Sequence, residues 1–119
     1  MKPFEIITHQ GKKIAVVDLS DTSPEQAIPL LREGQRKIAL MPPKSVLLFT
    51  DARNAVFNKV SLAALKEFSK EITPNIKASA SLGSDGLRAV ALDIVVNLTG
   101  RNIKSCETRQ EALDWLVSR

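Results

Sequence analysis

The chain has no tyrosine, one tryptophan, four phenylalanines, one cysteine and one histidine among its 119 residues, and each scarcity removes a class of chemistry. With only Phe4, Phe49, Phe57, Phe68 and Trp115, there is almost no material for a surface that stacks nucleobases. A lone Cys106 excludes an intrachain disulfide and a cysteine-based zinc cage, and fits a reducing cytoplasm. A lone His9 leaves little histidine chemistry: it lies far in the chain from any serine it could activate as a nucleophile. Glycine is also sparse. The stretch "GSDG" at residues 83–86 lacks the glycine spacing and the lysine of a phosphate-cradling loop. No apolar run approaches the roughly 18 residues of a membrane span, and "MKPFEIITHQ" does not read as a secretory signal. The net charge is +4, but "GKK", "RKI", "GRNIK" and "TRQ" fall in different segments rather than on one stripe, so no specific nucleic-acid partner is expected.

What is present is a regular alternation of strand and helix patterns. Hydrophobic residues at 44% and charged residues at 25% predict one packed domain spanning 1–119, without linker or repeat. Phe4 to Thr8, the turn at residues 10–13 and the apolar block Ile14 to Val17 predict a hairpin whose first strand is an edge. Ser23, Pro24 and Gln26 open a helix with a capping box, and Gly34 on its apolar face invites close approach to the sheet. Pro29, inside that helix, should kink it or delay its regular part. Val46, Leu47, Leu48 and Phe49 form a continuous apolar run, the pattern of a central strand. Asn58 then caps a helix from about Lys59 to Ile72.

In "IKASASL", Ile76, Ala78, Ala80 and Leu82 share one face, and Lys77, Ser79 and Ser81 give the other a small, polar character. Ser84 or Asp85 caps a helix over Leu87 to Thr99 that Gly100 terminates, Ile103 to Cys106 is a short strand, and Thr108 with Glu111 opens the last helix. The order ββαβαβαβα predicts an α/β fold: a mixed, mainly parallel sheet of about five strands with four helices.

That order, together with "VLLFTDARNAVFNKVSLAALKEF", "VVDLSDTSPEQAI", "KASASLGSDGLR" and "TGRNIKSCETRQEALDWL", resembles the bacterial SpoIIAA-like family, related to STAS domains such as the anti-sigma-factor antagonists. The resemblance implies that fold over nearly the whole chain. In the antagonists a partner kinase phosphorylates a serine in the segment matching "FNKVSLAAL", and the resemblance places Ser61 there as a phosphoacceptor candidate. Lys59 replaces the family's aspartate, Val60 its first serine, and neither glycine of the motif remains.

In open sheets of this kind, ligands and partners meet the loops at the carboxyl ends of the parallel strands. Asp51, Arg53, Asn54, Asn58 and Lys59 lie after one such strand, and Ser84, Asp85 and Arg88 after the next. These are candidate partner- or ligand-binding residues, although Asp51 and Asp85 also suit backbone capping, with Arg53 or Arg88 paired to them. No catalytic residue, metal ligand or cofactor motif is expected. Along "LRAVALDIVVNLTG" only Arg88, Asp93 and Asn97 interrupt the apolar residues, so more than one face needs cover, and Ile94, Val95 and Leu98 are candidates for self-association. The functional expectation is a non-enzymatic module that docks a protein partner or forms a homodimer. The alternative is a carrier of a small apolar or lipid-like ligand, suggested by the small residues Ala78 to Ser81 and by the distant likeness of the SpoIIAA-like family to CRAL-TRIO lipid-binding domains.

Overall fold

A computed structural model describes residues 4–83 and 87–119. The hairpin is present: β1 (Phe4–His9) pairs antiparallel with β2 (Lys12–Asp18), and Gln10 and Gly11 between them both take positive φ, as a two-residue turn between twisted strands requires. After it come α1 (Pro24–Ile38), β3 (Val46–Asp51), α2 (Lys59–Ile72), a single 3-10 turn at Thr73–Asn75, β4 (Ile76–Leu82), α3 (Leu87–Thr99), β5 (Ile103–Cys106) and α4 (Arg109–Val117). The strands lie side by side in chain order, β1-β2-β3-β4-β5, with β2 to β5 parallel. The expected mixed α/β architecture and the edge position of β1 are therefore observed.

Chain-order strands have a geometric consequence. Right-handed crossovers that all step the same way place their helices on the same face of the sheet. Thus α1 and α2, the latter through Phe68, pack over Val17 and Leu48 in one core cluster, and α3 lies beside α2. The other face is left to α4, whose Ala112, Leu113 and Leu116 cover Ile14, Val16, Phe49 and Ala80 in a second cluster. As α4 has only nine residues, polar contacts supplement its packing. His9 Nε2 meets Asp114 Oδ1 at 2.8 Å, Gln10 Nε2 donates to the same oxygen, and Lys12 Nζ donates to the Val117 carbonyl. Asp114, hydrogen-bonded by His9 and then by Gln110, is held below the usual carboxylate range.

Three local expectations are settled by packing. Gly34 does allow close approach: a methyl added there would meet carbons of Phe4 and Phe68 at 3.4 Å. Pro29 neither delays nor interrupts α1, which is continuous from Pro24. The carbonyl four residues earlier belongs to exposed Glu25, so water can take the place of the missing donor. The face assignment of β4 needs correction at Ile76. The register slips between Val46↔Ile76 and Leu47↔Ala78, so Lys77 is an extra residue, and Ile76 joins the α1/α2 core while Ala78, Ala80 and Leu82 face α4.

Gly83, just after β4, has φ +83°, and a Cβ there would stand 2.6 Å from the Arg53 backbone nitrogen. A side chain would be strained by conformation and by collision with main chain. Gly83→Ala is expected to lower stability by about 2 kcal/mol or more in urea unfolding; an unchanged midpoint would show that the two loops do not meet in this way.

Candidate functional site

At the carboxyl end of central strand β3, Asp51 is buried and its carboxylate is fully engaged by the residue two places on. Oδ1 accepts from the Arg53 backbone N–H and from Nε, both at 3.1 Å, and Oδ2 accepts from Nη2 at 2.7 Å. The Asp51 hydrogen bond and charge raise the pKa of the Arg53 guanidinium further above its ordinary value. Backbone bonds tie neighbouring loops to this one: Leu19 N–H to Asp51 O, Asp21 N–H to Arg53 O and Ala52 N–H to Leu82 O. Asn54, at φ +61°, donates from Nδ2 to Asp21. Asp51, Arg53 and Asn54 thus come together as sequence predicts, and they satisfy one another and the chain around them.

Asn58 and Ser61 form a reciprocal cap at the start of α2. Asn58 Oδ1 accepts from the Ser61 N–H and Ser61 Oγ accepts from the Asn58 N–H, each at 2.9 Å. Ser61 is 0% exposed, so a phosphoryl group on its hydroxyl requires the first turn of α2 to open. Lys59 is exposed beside it. Ser84 and Asp85 lie outside the described residues, as does the side chain of Arg88. Of the self-association candidates, Leu98 is 45% exposed and Ile94 half-buried. Val95 is corrected: only 4% exposed, it points inward, because Ala91 and Val95 form the inner stripe of α3 while Val90, Ile94 and Leu98 form the outer one. Cys106 packs in the α4-side core, where burial, and then Glu111, push its thiol pKa up. Among the described residues no group of three or more metal-ligating side chains converges.

A concave feature suited to a ligand lies under α3, and sequence reading had found only part of it. A cavity of about 70 Å³ opens between this helix, α2 and the sheet. Its floor is Leu48 and Thr50 of β3 with Ser79 and Ser81 of β4. Its roof is Ala91, Leu92 and Val95. Leu65 and Phe68 of α2 make a wall. Small serines on the floor and an alanine in the roof leave space that leucines would fill, so the lining is mainly apolar with a few hydroxyls.

Arg101, in the α3–β5 connection, also lines this cavity. Its Nη1 donates to Ser79 Oγ at 2.7 Å, while its Nε is buried with no acceptor. Among the described residues no carboxylate pairs with it, and burial pushes its pKa down to about 10. Arg101 was not singled out from the sequence. The usable signal was a cation directly after Gly100, the helix terminator, in a chain where β4 offers serines to the same side.

The fold is that of a small α/β domain of SpoIIAA-like architecture. No family model and no curated protein matches the chain. Among solved structures it is similar to an uncharacterized protein from the DUF3478 family with a SpoIIAA-like fold, from Shewanella loihica PV-4. The TM-score is 0.71 at 19% sequence identity, covering 95% of this chain and 91% of that one. At this identity the likeness establishes the fold.

Two substitutions test whether the β3 end is built for geometry. Asn58→Ala is expected to cost about 1 kcal/mol of stability, the usual value of a helix cap. Arg53→Ala is expected to destabilise more than Asp51→Ala, because it leaves the buried Asp51 carboxylate without its guanidinium partner, whereas Asp51→Ala leaves an Arg53 head that is largely in solvent. Urea unfolding of the variants gives the ranking directly; equal midpoints for all would leave these residues free for another role.

Proposed function

We propose that this domain is a non-enzymatic binding module that carries a small apolar ligand in the cavity beneath α3. The supporting observation is the cavity itself: it is lined mainly by aliphatic and aromatic carbon, lies between a helix and the sheet, and is bordered by few polar groups, as small-molecule sites usually are. Its space of about 70 Å³ is partly open, so the polar head of a ligand need not lie within it. A short or branched chain of a few carbons therefore suits it better than a long acyl chain. The cluster around Asp51 offers nothing comparable, since its polar groups are already paired with one another.

Docking of a second copy is the other reading, and a separate observation favours it. Val90 is 55% and Leu98 45% exposed on the outer stripe of α3, with Ile94 between them. At roughly 25 cal/mol per Å² of apolar surface, covering such a stripe contributes to association. The two readings use opposite sides of α3 and are compatible.

Ala91→Leu places extra carbon in the roof of the cavity. It is expected to raise stability by about 1 kcal/mol as a cavity-filling change and to abolish uptake of 3-methylbutanol, which should raise the melting temperature of the natural chain. Thermal shift and native mass spectrometry read both effects. A natural chain that shows neither a shift nor retained mass contradicts the carrier reading. Sedimentation at high concentration checks the docking reading, for which a dimer weakened by Leu98→Glu is expected.

A further inference from the structure

We infer that the cavity selects a small apolar carboxylate, with Arg101 receiving the carboxylate and the space under α3 receiving the hydrocarbon. The inference rests on the carrier reading and adds the charge of the ligand to it. Three observations carry it. Arg101 lines an otherwise mainly apolar cavity, its Nε is buried without an acceptor, and among the described residues no acidic side chain neutralises it. A half-buried guanidinium with an enclosed Nε and no counter-charge is costly to keep, so a fold that retains one gains when an anion arrives.

The geometry narrows the anion. Ser79 Oγ occupies Nη1 at 2.7 Å and, among the described residues, leaves the Nε–Nη2 edge without an acceptor. The same edge of Arg53 grips Asp51 with two bonds, from Nε at 3.1 Å and Nη2 at 2.7 Å. A planar carboxylate matches that fork. Beyond the hydroxyls of Thr50, Ser69, Ser79 and Ser81, the lining is apolar, from Leu48, Phe68, Ala91 and Val95 among others, and holds no second charged group. A compact monocarboxylate with a short, branched tail meets both requirements, and a fully polar anion meets only the first.

The experiment measures binding of 3-methylbutanoate, 3-methylbutanol and inorganic phosphate to the full chain by calorimetry and ligand-observed NMR. The carboxylate is expected to bind roughly tenfold or more tightly than the alcohol, as charge-assisted hydrogen bonds warrant. Arg101→Gln should remove that preference and leave alcohol binding nearly unchanged. Should this variant not fold, Ser79→Ala, which removes only the hydroxyl that orients Nη1, is expected to weaken carboxylate binding several-fold with the alcohol unaffected.

Equal binding of carboxylate and alcohol, a preference that survives both substitutions, or phosphate bound as tightly as the carboxylate each overturns the inference while leaving the apolar cavity as a binding site. Failure of all the organic probes to bind removes the carrier reading along with it.

Discussion

The structure depends on one constraint: five strands laid in chain order, joined by crossovers of one hand. That arrangement stacks α1, α2 and α3 along a single face and leaves the other to α4, tied to the hairpin by His9, Gln10 and Lys12. Because each crossover helix lies over the strands it connects, α3 must stand above the β4–β5 end of the sheet. There the residues presented to it are Ser79 and Ser81 rather than leucine or valine. Short side chains below and Ala91 above cannot close the gap, and the cavity follows from topology meeting side-chain size.

The polar residues that crowd the end of β3 serve a different purpose. Asp51 orders the Arg53 loop, the backbone of Arg53 and Asp51 anchors the β2–α1 connection, and Asn58 with Ser61 starts α2. Gly83 comes so close to Arg53 that the β4 end is locked to the same loop. In many open sheets these loops hold the ligand. Here Asp51 and Asn54 are hydrogen-bonded within the chain, and a concave, mainly apolar space lies beneath α3.

Arg101 shows how different burial makes two arginines of one protein. The Arg53 guanidinium is largely in solvent and neutralised by Asp51, which strengthens its hold on the proton. Arg101 is half-buried with its Nε enclosed, its side chain bonds only a serine hydroxyl among the described residues, and its proton affinity falls. The first is a structural clasp. The second is a charge kept in an apolar setting, the condition under which a ligand's own charge counts most.

Period and capping chemistry in the amino-acid order were enough to determine the elements and their sequence. The run Val46 to Phe49 announced a central strand, Ser23 with Gln26 and Asn58 announced helix starts, and the alternation ββαβαβαβα announced a mostly parallel sheet, because these are local properties of a few adjacent residues. The polar cluster at Asp51, Arg53 and Asn54 was legible for the same reason, since its members are neighbours in the chain. Only the tertiary structure could decide that Ile76 and Ala78 face opposite ways, since a bulge depends on the partner strand. Only it could show that Val95 points inward, and that Arg101 meets Ser79 across 22 residues of sequence in a shared cavity. Those are facts about which surfaces meet, and a linear pattern holds no information on the empty space left between elements once they have packed.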